Sequence, residues 1–294
     1  MIKTAERKIE TSELSRDRTR AIGAILVEQG RLTLDDVEEI QRYATANGLR
    51  FGDGALRLQK LSQQDVDLAI AQQFNYPILE LGGRNGVSEE LVAGYLPQSE
   101  MIEPLRALRS QITLRWVKSQ ERNALAITSA GRGEGRTWLA ANLAIVFAQL
   151  GRRTLIIDAD MRNPRLHTLF NLENAVGLSA LLTGRAGREI VTRIHPQLRL
   201  FVLPAGIVPP NPQELLGRPV FDLVLNLFAD QYDLIIIDTP ACTVASDAYI
   251  LSSRAGTAVM VARRHHTNQT DLNSAMLNLM QTGVNVIGSV MTEF

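Results

Sequence analysis

The chain has 294 residues, 45% hydrophobic and 21% charged, enough for one sizeable α/β core plus a smaller domain and unlike the composition of a disordered chain. Lysine plus arginine equals aspartate plus glutamate at 31 each, so the summed field draws in neither nucleic acid nor anionic lipid, and no nucleic-acid partner is expected. One cysteine, Cys242, excludes an internal disulfide and fits a reducing compartment; it reads as a packing residue.

Residues 1–19 carry Lys3, Arg7, Lys8, Glu10, Glu13 and Arg16 without the apolar centre of a secretory signal, and are expected as a flexible tail. No apolar run reaches the roughly 20 residues that cross a bilayer. The best candidate, Leu139–Leu150, is interrupted by Asn142 and Gln149. Residues 20–97 are expected as a small helical domain, with helical patterns broken by Gly30, Gly48, Gly52 and Gly54 and little β signal. Within it, Ala21–Ala44 and Arg50–Gln73 are two 24-residue units separated by Thr45–Leu49, an imperfect internal repeat. The second domain is expected over 98–294 and opens with a helix that begins near Pro104, since proline sits comfortably only in a first turn.

From Asn123 onward, apolar β-rich runs alternate with helical stretches: Ala124–Ile127, Thr154–Ile157, Leu200–Leu203, Leu234–Ile237, Ala258–Val261 and Val284–Val290. This alternation predicts a mainly parallel sheet flanked by crossover helices. Leu234–Ile237 has no polar alternation, as burial on both faces demands, and should be central. The crowd of Pro204, Gly206, Pro209, Pro210 and Pro212 predicts an irregular loop.

The first of these runs leads into Ser129-Ala-Gly-Arg-Gly-Glu-Gly-Arg-Thr137 and then a helical pattern, which is the context of a phosphate-binding loop. Gly131, Gly133 and Gly135 let backbone N–H groups turn inward into a nest for phosphate oxygens at a helix N-terminus, with Arg132, Glu134, Arg136 and Trp138 around it. Thr137 is placed to ligate Mg²⁺. Arg136 stands where the usual pattern has lysine; it keeps the charge and can fork onto two oxygens but is longer and planar. Two acidic motifs end buried strands: Asp158-Ala-Asp-Met-Arg162, and Asp238 after Leu234-Ile-Ile-Ile. Strand ends are where open α/β sheets bind ligands. Asp158 and Asp160 both face the loop if the strand persists that far, and with Asp238 could hold hydrated Mg²⁺. Together these read as an α/β P-loop NTPase domain, with ATP and Mg²⁺ as cofactors, behind a small helical N-terminal domain.

These motifs resemble the bacterial tyrosine kinases, whose P-loop is paired with a second acidic motif, here Leu155-Ile-Ile-Asp-Ala-Asp-Met-Arg-Asn-Pro-Arg-Leu-His167. Pro204-Ala-Gly, Pro210-Asn-Pro-Gln-Glu-Leu-Leu216 and Tyr232-Asp-Leu-Ile-Ile-Ile-Asp-Thr-Pro240 extend the likeness over Glu103 to Phe294. Within that family the chain is similar to the EpsG-type group of exopolysaccharide chain-length control, which shares the arginine at position 136. The resemblance implies an ATP-dependent protein tyrosine kinase with Arg136, Asp158, Asp160 and Asp238 as catalytic residues. Asp158 would activate the tyrosine hydroxyl, Thr137, Asp158 and Asp238 would serve the metal, and Arg162 would join the nucleotide contacts. It implies that Glu103, Arg106 and Arg109, an E-x-x-R-x-x-R helix, mediate ring-like homo-oligomers. It also implies a separate membrane-anchored, Wzz-like polysaccharide co-polymerase, and hence a cytoplasmic protein peripheral at the inner membrane. The final Met291-Thr-Glu-Phe294 lacks the family's tyrosine cluster. The helical repeat resembles the N-terminal domain of MshE-type secretion ATPases, which implies cyclic di-GMP contacts at Arg50, Gly52 and Gln73, although the first unit lacks the matching polar residues.

Two other readings stay open: a nucleotide-gated assembly switch that phosphorylates nothing, favoured by Arg136, and a partitioning ATPase of the ParA and MinD type, whose early signature lysine is Gly131 here. Arg263, Arg264, His265 and His266 end a strand as a basic cluster, read as solvated. His167 and His195 have no companions at metal-ligand spacing.

Overall fold

The computed structural model describes residues 22–74, 76–79, 86–96, 99–116 and 123–294. The tail expected over 1–19, Ala21 of the first repeat unit and the boundary at residue 97 lie outside them. The chain divides into two compact units, one reaching Ile78 and the other built from Leu79–Tyr95 and Ser99–Phe294.

In the smaller unit a helix over 22–28 is followed by α1 (Leu34–Ala46), α2 (Phe51–Arg57) and α3 (Gln63–Gln73). The repeat is visible in its chemistry. Thr33 and Ser62 occupy the same place in each unit, and each closes a capping box, with Asp36 and Asp65 respectively. The units also exchange ion pairs, Lys60 to Asp36 at 2.6 Å and Arg31 to Asp65 at 3.6 Å. Leu26, Ile40, Phe51, Ala55 and Ala69 bury the faces between them. Where the first unit turns at Gly30 with φ 68°, the second forces Gln59 to φ 55°, a left-handed conformation that a side chain resists.

The larger unit contains α4 (Val92–Tyr95), α5 (Glu103–Trp116), β1 (Ala124–Ser129), α6 (Arg136–Gln149), β2 (Thr154–Asp158), α7 (Leu166–Leu169), α8 (Leu178–Leu182), β3 (Thr192–His195), β4 (Leu198–Leu203), α9 (Pro212–Gly217), α10 (Val220–Ala229), β5 (Leu234–Asp238), α11 (Asp247–Ala255), β6 (Thr257–Arg263), α12 (Gln269–Gln281) and β7 (Asn285–Thr292). Helix α5 starts one residue before Pro104, as expected. Seven strands among the described residues form one sheet in the order β3-β4-β2-β5-β1-β6-β7, parallel except for β3 on β4. Strand β5 is central, and every residue of β1, β2 and β5 is buried. Continuous apolar runs are what burial on both faces produces.

Two features depart from the sequence reading. Strand β3 was not expected: it is a short, partly exposed antiparallel edge whose Thr-Arg-Ile-His carries no buried stripe. Leu79–Tyr95, read as the end of the helical domain, belongs to the larger unit instead. Leu79, Val87, Leu91, Val92 and Ala93 share its core with the inner face of α6. Asn142 within α6 explains why this segment stays: its side chain accepts from Ala93 N at 3.0 Å and donates to Glu90 O at 2.9 Å. The two bonds offset the desolvation of this buried amide, and removing its partners would strand it. Among the described residues no helix is long and apolar enough to cross a membrane.

Candidate nucleotide site

The cleft lies at the C-terminal ends of β1, β2 and β5. Strand β1 runs out at Ser129, and Gly133 and Gly135 take positive φ values of 70° and 90°, so the chain doubles back and delivers its N–H groups to the start of α6. A cleft of about 230 Å³ opens over this loop, lined by Arg132 to Trp138, Asp160, Asn163, Arg165 and the Pro240–Ala241 turn. Trp138 lines the cleft and is also partly buried against the core.

Parallel pairing of β2 with β5 sets Asp158 directly beside Asp238. Both are buried, and their carboxylates repel in a medium that solvates them poorly. Burial first, then the neighbouring Asp238 charge, raises the pKa of Asp158 well above the ordinary carboxylate value. One Asp158 oxygen accepts from the N–H groups of Arg165 and Leu166, both at 2.9 Å, while the other is buried with no partner. Asp238 is pushed up to about 7 by burial, opposed by the adjacent Thr137 hydroxyl and the Arg136 charge. Neither of its oxygens makes a hydrogen bond of good geometry. Strand β2 ends at Asp158, so Asp160 reaches the loop from a turn; it caps Asn163 N at 3.0 Å and faces Arg136 Nη2 at 3.8 Å.

Arg136 is folded into its own loop. Its Nε donates to Thr239 O at 2.8 Å and its Nη1 to Gly131 O at 2.8 Å and to Ser129 Oγ. The planar guanidinium thus finds three acceptors at the C-terminal ends of the central strands that a lysine ammonium could not span together. Ser129 and Thr239 flank the motifs in sequence, but only the fold shows them as a cradle.

Three buried carboxyl oxygens without partners, beside a threonine hydroxyl and a nest of N–H groups, fit a hydrated Mg²⁺ and a polyphosphate. Among the described residues no three Asp, Glu, His or Cys side chains converge at metal-ligand spacing. Thr137, Asp158 and Asp238 are thus the groups that could hold such an ion, as a hydroxyl and two acids around hydrated Mg²⁺ rather than a carboxylate cage.

Arg162, expected at the nucleotide, instead forks onto Asp247 at the start of α11, at 2.8 and 3.2 Å, and does not line the cleft. The basic cluster after β6 is more than solvated: Arg263 donates to Gly133 O at 3.2 Å, and His266 Nε2 lies 3.0 Å from Arg132 O. Thr292 donates to Glu134 O at 2.8 Å, and the Phe294 ring lies under Arg263, 4.3 Å from its guanidinium. The far end of the chain thus braces the loop from outside, a contact no local pattern announces. Glu103 pairs with Arg106 at 3.3 Å, and Arg109 donates to Val146 O at 2.9 Å, anchoring α5 on α6. In the smaller unit Gly52 has a packing explanation, since a Cβ there would lie 2.8 Å from Val66 Cγ1. Arg50 is exposed ahead of α2, and Gln73 ends α3.

A parallel sheet with a glycine loop opening a helix, and acids ending the neighbouring strands, defines a P-loop nucleotide-binding protein. A family model described as cellulose biosynthesis protein BcsQ matches residues 122–282. The chain is 36% identical over 205 residues to tyrosine-protein kinase YwqD of Bacillus subtilis, covering 70% of this chain and 86% of that protein. It is also 36% identical over 195 residues to tyrosine-protein kinase etk of Escherichia coli K12, covering 66% of this chain but only 27% of that much longer protein. The solved kinase domain of Escherichia coli ETK superposes with a TM-score of 0.66 at 30% identity, covering 76% of this chain and 92% of that one. The chain belongs to the bacterial tyrosine-kinase family.

Proposed function

We propose that this protein is an ATP-dependent protein tyrosine kinase that acts on itself or on a partner to regulate exopolysaccharide polymerisation, chain length and export. The observation that carries this reading is the set of buried, unpartnered oxygens of Asp158 and Asp238 next to the glycine loop. A buried acid without a partner is unfavourable unless a ligand completes it.

Bound Mg-ATP would supply the phosphoryl group and screen its charge. The N–H groups of Gly131 to Gly135 hold phosphate oxygens, and Arg136 offers its guanidinium to charge developing on the transferred group. Thr137 would offer its hydroxyl to a bound ion, and Asp158, Asp160 and Asp238 would hold and orient the water around it. Asp158, its pKa raised by burial and by the neighbouring Asp238 charge, accepts the proton of an incoming tyrosine hydroxyl. Glu103 and Arg106 on the exposed side of α5 serve self-association, with Arg109 fixing the helix that displays them. The partner is a separate membrane-anchored, Wzz-like co-polymerase, which places the protein on the cytoplasmic side of the inner membrane.

The second reading, an ATP-binding assembly switch without phosphotransfer, is favoured by the commitment of Arg136 to Thr239, Gly131 and Ser129. Incubation of the full chain with Mg-ATP and the cytoplasmic segment of the co-polymerase separates the two. Phosphotyrosine in the wild type that vanishes in Asp158→Asn supports the kinase; nucleotide binding without phosphotyrosine leaves the switch.

A further inference from the structure

Arg165 stands on the wall of the cleft opposite the glycine loop, and nothing in the sequence patterns singled it out. Its backbone N–H is fixed by Asp158 Oδ2 at 2.9 Å, so its Cα is positioned by the carboxylate at the centre of the site. Its Nη2 is held by both oxygens of Glu90, at 2.5 and 2.7 Å. Glu90 comes from the segment ahead of α4 that Asn142, Gln149 and Leu169 fasten to the larger unit, through Glu90 O, Ala93 N, Ala93 O and Ser88 N.

The two halves of the cleft differ in how firmly their arginines are held. Arg136 spends its N–H groups on two carbonyls and a hydroxyl in a part-buried setting. The Arg165–Glu90 pair is 48% and 42% exposed, and a solvated pair of this kind contributes little and yields readily to a more highly charged anion. Arg132 and Arg136 supply positive charge from the glycine loop, and a polyphosphate arriving beside Asp158, Asp160 and Asp238 needs a cation on the acidic side as well. Arg165 is the cleft-lining cation placed there, with only an exposed carboxylate to give up.

We propose that Arg165 is a second phosphate-binding arginine of this cleft, contacting the terminal phosphate of a bound nucleoside triphosphate, and that Glu90 is the resting counter-ion it leaves on binding. The terminal phosphate is specified because the Arg165 backbone is anchored at Asp158, on the acidic side of the cleft where phosphoryl transfer would take place. The proposal rests on the nucleotide-site reading above.

The test is titration of the full chain with Mg-ADP and with the magnesium complex of adenylyl imidodiphosphate, for the wild type, Arg165→Ala, Arg165→Lys, Glu90→Gln and the double variant. Loss of one charge-assisted contact predicts about tenfold weaker binding of the triphosphate analogue by Arg165→Ala, against less than about twofold for Mg-ADP. Arg165→Lys should fall between. Glu90→Gln should tighten the analogue about threefold and do nothing once Arg165 is alanine, since its effect acts through that side chain. Equal weakening of both nucleotides by Arg165→Ala, or a Glu90→Gln effect that survives without Arg165, overturns the proposal alone. A wild type that binds neither nucleotide overturns it together with the reading beneath it. Should Arg165→Ala not fold, Arg165→Lys and Glu90→Gln still decide the matter.

Discussion

The glycine loop and the helical repeat are both rich in polar side chains, yet they treat them in opposite ways. In the repeat, Thr33 and Ser62 close their own capping boxes, Lys60 and Arg31 find acids across the pseudo-symmetric units, and Gln29 bonds Gln72 at 2.7 Å. None of the buried unpartnered side-chain atoms among the described residues falls in that unit, whereas Glu134, Asp158 and Asp238 contribute four of them around the loop. Polar residues of a motif signal a ligand when the fold buries them and leaves them unsatisfied. Where they complete one another, they signal structure.

The largest effect expected is at the acids. Asp158→Asn should lower phosphotransfer by about 100-fold or more while leaving the fold intact, as removal of a general base does. Retained activity would show that the unpartnered oxygen is not the working base.

A pH series sharpens the same contrast. Asp238 binds its proton up to about 7 in the folded protein, while an unfolded chain releases it near 4. The stability this contributes is full below the unfolded value and is lost as pH rises through about 7, at up to about 1.4 kcal/mol per pH unit. Nucleotide-free protein should therefore melt at a lower temperature at pH 7.5 than at pH 5, and Asp238→Asn should flatten that dependence. Asp36 of the repeat is shifted the other way, lowered first by Lys60 and then by Thr33, so its contribution is lost only in acid.

Glycine substitutions break the comparison more locally. Gly52→Ala presses a methyl group into Val66 and should destabilise by about 1–3 kcal/mol in chemical denaturation without changing nucleotide affinity. The smallest effect is at Gln59, where Gln59→Gly relieves a left-handed side chain and should stabilise by no more than about 1 kcal/mol, its unfolded-state entropy offsetting part of the gain.

Most of the sheet was legible because parallel central strands must be continuously apolar, and β1, β2 and β5 are. Strand β3 was not, because four residues at an exposed edge bury no face. The loop and the acids Asp158 and Asp238 were legible because strands end there, whereas Asp160 reaches the loop from a turn beyond the end of β2. The cradle of Arg136, the brace from Arg263, His266 and Thr292, and the Arg165–Glu90 pair were not, because each joins residues from distant parts of the chain. Arg162 shows the converse: its place in the motif suggested the nucleotide, yet Asp247, far along the chain, holds it.

The central claim is that the unsatisfied acids and the glycine loop form one nucleotide site that the helical repeat does not share. The most direct measurement is calorimetric titration of the full chain with ADP, with and without Mg²⁺, alongside Gly135→Ala and Gly52→Ala. The account predicts Mg²⁺-dependent binding that is lost in Gly135→Ala, where φ 90° strains a side chain and a Cβ would sit 3.0 Å from the Phe294 ring, and is kept in Gly52→Ala. No binding by the wild type, or equal loss in both variants, would contradict it.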